Sequence, residues 1–317
     1  VILVISHEQD PHADRVIRHL RADGHDVLLF NLTELPDRAT LTIDYDGSGR
    51  PRIDFTRRSG ESFALNAVQS VWWRRPQAPN LASVTDPQVN MFAANEWHEA
   101  INGLWQLLLD ARWMNDPTRD DAASRKARQL RVAAEVGLRT PRTVITSDPA
   151  RAKAFIEQQG VGNTIYKTFS CTHAVWRETR LLQPEDLAQL EAVRVTPVIF
   201  QQFIPAESDL RITHVDGNLY VAAIRSAPGE GVDFRMSVGS AAMAAEALPT
   251  DIAERLRTLM RRLGLVYGAI DMRRTPAGEY YFFEVNTAGE FLFVEDRTSL
   301  PIARAIAAWL AGTPTPS

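Results

Sequence analysis

Of 317 residues only one is cysteine, Cys171, which excludes an internal disulfide and any cysteine-cluster metal site. A metal would have to be held by oxygen or histidine. Long hydrophobic runs are missing too: the opening VILVIS gives way at once to His7, Glu8, Gln9 and Asp10, too short for a signal-peptide core or a membrane span. Nor is there an excess of positive charge. Thirty-five Lys and Arg against 39 Asp and Glu leave a net charge of −4, so no global basic field gathers nucleic acid or anionic lipid. The expectation is a soluble cytoplasmic protein with no nucleic-acid and no membrane partner. Finally, no glycine fingerprint follows the first strand, where SHEQDPHAD stands, which speaks against dinucleotide binding there.

What is present suits two globular units or one subdivided enzyme. The 45% hydrophobic content over this length supports a sizeable core. Residues 1–6 read as a buried strand, 10–24 as an amphipathic helix and 25–31 as a strand, the start of an α/β sheet. Short alternating runs separated by DGSG and RSGE predict hairpins. A strand then reads over 71–75, and a helix over 90–109 with Phe92, Ile101, Leu104 and Leu108 on its inner side. A helix is expected over 118–136, and α+β patterning continues to 203, with helices over 150–159 and 184–193. Residues 210–226 read as a hairpin around Asp216-Gly217-Asn218, 252–263 as a helix, 267–273 and 279–286 as paired strands, and 300–310 as a closing helix. The expected organisation is an N-terminal α/β unit over 1–117, a central lobe over 118–204, a C-terminal lobe over 205–312 and a disordered tail over 313–317.

The most informative constellation is Asp271 in AIDMRR with Glu284 and Asn286 in YYFFEVNTAGEF. Alternation puts Glu284 and Asn286 on one face of a strand, and a hairpin brings Asp271 beside them. Carboxylates ending apolar runs are costly to bury unless paired or metal-bound. Two carboxylates and an amide oxygen suit magnesium together with nucleotide phosphates. The plainer alternative pairs the acids with Arg273 and Arg274. Cys171 reads as a loop residue rather than a nucleophile, because no histidine and acid set accompanies it beyond His173.

These residues resemble the ATP-grasp superfamily, whose Asp, Glu and Asn set holds the magnesium ions that bridge ATP phosphates. The resemblance implies an ATP-grasp fold of the α/β (α+β) class, with ATP and Mg2+ as cofactors. It extends to Lys126, to GLRTPRT at 137–143 and to Lys167 ending TIYK, which are similar to the two lysines that contact phosphate and adenine. QQFIPAESDLR at 201–211 looks like the interlobe hinge strand, with backbone groups of Gln202 and Phe203 at the adenine edge and Glu207 at the ribose. Arg211 and Arg225 would neutralise the transferring phosphoryl group. The glycine-rich phosphate-covering loop of many members is replaced by TFSCTHAVWRET at 168–179.

That loop, WWRRP at 72–76, NDP at 115–117 and EVNTAGEFLFVE together resemble the microviridin-type maturases, or graspetide synthetases. The resemblance implies phosphorylation of an Asp or Glu side chain in a ribosomal precursor peptide with a leader and an acidic core. Attack by a Ser, Thr or Lys side chain of the same peptide would then close a macrolactone or macrolactam. The hairpin at 210–226 would match the leader-docking element, Arg74 and Arg75 would face the core peptide or the nucleotide, and a homodimer is compatible with this reading. Two alternatives stay open: a RimK-like amino-acid ligase, and a non-catalytic nucleotide- or peptide-binding module.

Overall fold

The computed structural model describes residues 1–47, 49–169, 179–226, 239 and 241–315. Strand β1 (Ile2–Ile5) is buried at every position, as a parallel strand covered on both faces must be. Asp10 caps helix α1 (Pro11–Ala22) by accepting from the amides of His12 and Ala13, and α1 turns Val16, Ile17 and Leu20 inward. Strand β2 (Val27–Phe30) lies parallel to β1. Strands β3 (Ala39–Asp44), β4 (Arg52–Arg57) and β5 (Ser62–Ala64) form the antiparallel meander that the two turn signals imply. Strand β6 (Ser70–Trp73), helix α2 (Pro87–Leu107) and strand β7 (Arg112–Met114) complete a parallel sheet of order β2-β1-β6-β7. Phe92 does not face inward as its spacing suggests. It is 64% exposed, because only the C-terminal part of α2, at Ile101, Leu104 and Trp105, has a core to pack against.

The one helix expected over 118–136 is two. Helices α3 (Pro117–Ser124) and α4 (Lys126–Glu135) are separated by Arg125, whose φ of −73° and ψ of 108° are extended. Lys126 therefore opens a helix instead of sitting within one. Strand β8 (Thr143–Thr146), helix α5 (Pro149–Gln159), strands β9 (Thr164–Lys167) and β10 (Arg180–Leu181), and strand β11 (Val198–Gln202) build an antiparallel sheet of order β10-β9-β11-β8. It has its own small core, with Ile156, Leu182, Val193 and Phe200. The helix expected over 184–193 is a 3-10 helix, Pro184–Arg194, and only Val193 in it is buried.

Strands β12 (Ser208–Val215), β13 (Asn218–Arg225), β14 (Ala242–Ala245), β15 (Tyr267–Arg274) and β16 (Tyr280–Asn286) form a five-stranded C-terminal sheet of order β14-β13-β12-β15-β16, with helix α6 (Thr250–Leu263) packed on one face. Helices α7 (Leu292–Thr298) and α8 (Ile302–Ala311) follow. The β12–β13 turn uses positive φ at Asp216 (46°) and Gly217 (88°), the conformation a tight hairpin requires. Within this hairpin the strand edges are engaged by neighbouring strands. All eight residues of β12 are buried, β12 is paired with both β13 and β15, and β13 with β14. One large core joins the first and last parts of the chain: Val4, Val16 and Trp72 pack with Tyr267, Phe291 and the α8 residues Ile302 and Ile306. Among the described residues no helix is long and apolar enough to cross a membrane.

Candidate active site

The antiparallel register of β15 and β16 sets Asp271 opposite Glu284 and Ala269 opposite Asn286, so the three oxygen-bearing side chains share one face. Ile270, Met272, Phe282 and Val285 take the other face and are buried in a core with α6 residues Leu256, Leu259 and Met260. A bulge follows Asp271: the next pair is Met272 with Phe282, which leaves Phe283 as the extra residue. Phe283 lines the cleft beside the acids.

That cleft has a volume of about 310 Å³ and lies between the central and C-terminal sheets. Lys126, Lys167, Gln202, Phe203, Asp271, Glu284 and Asn286 all line it. The two carboxylates are each met by a cation. Arg211 Nη1 donates to Asp271 Oδ1 at 2.8 Å, and Lys126 Nζ sits against Glu284 Oε2. Arg211 thus adjoins the cleft through Asp271. The alternative pairing of the acids with Arg273 and Arg274 does not occur. Arg273 makes a buried fork to Asp209, at 2.7 and 3.1 Å, and donates to the Ile204 carbonyl.

Glu207 and Arg225 do not line this cleft. Arg274 Nε holds Glu207 at 2.6 Å, and Arg225 spans Glu207 and Glu246 at 3.4 and 3.3 Å. The Arg274 hydrogen bond is the chief cause that pulls the Glu207 carboxyl down to about 2. Of the backbone groups expected at the adenine edge, the two amides are engaged: Gln202 N donates to the Arg142 carbonyl and Phe203 N to the Asn163 carbonyl, both at 2.8 Å. Next to them, the Gln201 side-chain Oε1 is buried without a hydrogen-bond partner among the described residues, while its Nε2 donates to Thr143. Of the loop at 168–179, Thr168, Phe169 and Thr179 reach the cleft; Cys171 and His173 lie outside the described residues.

Three residues that hold the site together were not singled out from sequence as doing so. Gln129, one turn beyond Lys126, accepts from Val285 N at 2.9 Å and donates to Val285 O and Ala123 O at 2.7 Å. It pins α4 to β16 between Glu284 and Asn286. Asn115 of the NDP phrase accepts from Val266 N and Tyr267 N at 2.8 and 2.9 Å, and so fixes the start of β15. Arg74, expected to face a peptide or nucleotide, is instead buried against Asp10 and the 288–289 carbonyls. The i, i+3 spacing of Lys126 and Gln129 is a signal that both share a helix face.

The donor set fits a magnesium ion. Among the described residues no three His, Cys, Asp or Glu side chains come together, so the site offers two carboxylates and one carboxamide. Magnesium is commonly held by one or two carboxylates with phosphate and water filling its octahedron. Asn286 is exposed, and its Oδ1 accepts one hydrogen bond, from Ala288 N at 3.1 Å, which leaves the second lone pair of a carbonyl oxygen.

Residues 1–121 match the family model described as the MvdD pre-ATP grasp domain, and residues 123–310 that of the RimK-like ATP-grasp domain. The macrocyclase MdnC of Microcystis aeruginosa MRC, solved bound with precursor peptide MdnA, is 29% identical with a TM-score of 0.88, over 98% of this chain and 99% of that one. A RiPP-associated ATP-grasp ligase of Chryseobacterium gregarium, solved with ADP and a leader and core peptide, is 27% identical with a TM-score of 0.88, over 99% and 97%. Glutathione synthetase of Thermosynechococcus vestitus is 25% identical over 226 residues, 66% of this chain. The chain spans 62% of that relative's length. With more than half of its residues in the second match and the pre-ATP-grasp domain preceding them, the chain belongs to the RimK-like ATP-grasp family.

Proposed function

We propose that this chain is an ATP-dependent carboxylate ligase that activates Asp or Glu side chains of a ribosomal precursor peptide and closes intramolecular ester or amide bonds. The observation that carries the chemistry is the single face of β15 and β16 on which Asp271, Glu284 and Asn286 meet Lys126 and Arg211. Support for a peptide substrate is the likeness, over nearly the whole chain, to MdnC and to the Chryseobacterium ligase, both solved with peptides.

A substrate carboxylate oxygen attacks the γ-phosphorus of ATP, and the bond to the bridging oxygen breaks to release ADP. A hydroxyl or amine of the same peptide then attacks the acyl carbon; phosphate leaves and the nucleophile's proton passes to solvent. Bound to Asp271, Glu284 and Asn286, magnesium would supply charge neutralisation at the phosphates. Lys126 and Lys167 would hold phosphate oxygens, once Lys126 exchanges Glu284 for nucleotide. Arg211, kept in place by Asp271, adds fixed positive charge at low dielectric. Arg225 and Glu207 belong to an ion cluster with Arg274 and Glu246 that braces the hinge end of the C-terminal sheet. Their proposed contacts to phosphoryl group and ribose require that cluster to open.

The test is to incubate the protein with magnesium, ATP and a small-peptide extract of the organism that encodes it, and to compare peptide masses by high-resolution mass spectrometry. Loss of one or more waters from a peptide, with release of ADP and phosphate, supports the proposal. Gain of an amino-acid mass would move the assignment to a RimK-like ligase, and an unchanged peptide pool would count against ligation.

A further inference from the structure

Arg74, the residue after β6, is 1% exposed, and its guanidinium reaches across to the segment that follows Asn286. Nε donates to Asp10 Oδ2 at 3.1 Å, and Nη1 donates to the carbonyls of Ala288 and of Gly289, the latter at 2.9 Å. Asp10 is fixed in turn: Ser6 Oγ donates to it at 2.8 Å while its other oxygen caps α1. A buried arginine is costly to desolvate unless it is paired and hydrogen-bonded. A helix cap and a strand end need no such residue to fold, so its placement calls for a role at the turn it grips.

The turn it grips carries the site. Ala288 N donates to the carboxamide oxygen of Asn286, and Gly289 N to the Asn286 carbonyl. The Gly289 carbonyl also accepts from Tyr267 Oη at 2.7 Å, and the Glu290 carbonyl from Arg211 Nη2 at 3.0 Å. The same Arg211 holds Asp271. A displacement of residues 288–290 would therefore move a proposed metal ligand and the cation that holds another. There is no slack for it to be absorbed: a Cβ at Gly289 would stand 2.3 Å from Ala269 Cβ and 3.0 Å from Arg211 Nη2.

We infer that Arg74 is a positioning residue through which the N-terminal α/β unit sets the orientation of Asn286 and Arg211, and so the strength with which the site binds metal with nucleotide. The inference rests on the magnesium reading proposed above. It assigns the N-terminal unit a share in metal binding although that unit contributes no ligand.

The experiment is calorimetric titration of ADP into the full chain, once with magnesium and once with EDTA, for wild type, Arg74→Met, Arg74→Lys, Glu284→Gln and Phe55→Leu. Phe55 is buried in the separate core under the N-terminal meander and controls for loss of stability alone. Arg74→Met is expected to lose about tenfold of the magnesium-dependent gain in ADP affinity, as for supporting groups behind metal ligands. Its affinity in EDTA should hold within about twofold, Arg74→Lys should fall between, and Phe55→Leu should keep the full gain. If Arg74→Met keeps the gain while Glu284→Gln loses it, Arg74 only joins two parts of the fold and the inference is overturned alone. If Glu284→Gln also keeps the gain, the magnesium reading and the inference fall together. Should Arg74→Met not fold, Arg74→Lys and Asp10→Asn carry the same comparison, and full retention of the gain in both overturns the inference.

Discussion

Asp271 stands directly opposite Glu284, yet the two carboxylates answer to different cations: Arg211, whose side chain is 8% exposed, and Lys126, at 22%. Like charges opposed across a strand pair repel, so both cations stabilise the site before any ligand arrives. They differ in how readily they can leave. Glu284→Gln should abolish ligation yet melt near the wild type, because Lys126 can turn to solvent. Asp271→Asn should also abolish ligation but cost about 3 kcal/mol, since it strands a buried guanidinium. Denaturant unfolding of both variants, together with the peptide-mass assay, checks the pair; retained turnover in Glu284→Gln would sink the metal assignment.

Gly289→Ala should destabilise the fold by about 1–3 kcal/mol, typical of an overpacked core. The added carbon would meet Ala269 Cβ at 2.3 Å. Ala269→Gly removes that atom, so the double variant should recover a large part of the loss. Thermal melts of the two single variants and the double read this out, and strictly additive losses would refute the proposed contact.

Gln129→Leu should cost about 2 kcal/mol, the penalty for leaving buried backbone polar groups of Val285 unpaired. It should also weaken ADP binding, because β16 is released from α4 between Glu284 and Asn286. Calorimetric titration and chemical denaturation of the one variant test both effects. Unchanged ADP affinity would mean that α4 merely packs against the site.

The shared face of Glu284 and Asn286 was legible in the sequence because a strand's two-residue period is local: the two must share a side wherever the strand goes. The helix break was not. Spacing runs through residues 118–136 without interruption, and what separates α3 from α4 is the extended Arg125 beside a Gln129 side chain that bridges Ala123 and the distant Val285. Arg74 and Arg75 make the same point. They are neighbours of one type, but Arg74 is buried on carbonyls 214 and 215 residues away while Arg75 meets Glu290 at the surface. Phe92 has the spacing of a core residue and lacks a core. Glu207 is assigned to the ribose through the resemblance of 201–211 to a hinge strand, and Arg225 to the phosphoryl group through its place on a hairpin; neither reveals Arg274 and Glu246, which engage them.

Two buried histidines make stability depend on pH. Burial is the largest cause that takes both His12 and His214 down to about 4, from 6.5. Between those values the unfolded chain binds protons that the folded chain refuses, so stability rises with pH through this window and is fully present above about 6.5. Melting temperature should fall as pH drops from 6.5 toward 4, and His214→Gln should make that fall shallower. A variant with an unchanged slope would contradict the assignment to His214.

The shared core of the first and last segments bears on how the chain is made. Val4, Val16 and Trp72 wait for Ile302 and Ile306 of α8, almost at the far end of the sequence. The central sheet draws its core from between Val144 and Phe200. On the ribosome, then, the middle of the protein can complete itself while the N-terminal unit is still partly bare. The cleft between the central and C-terminal sheets waits in turn for β15 and β16, which carry Asp271, Glu284 and Asn286.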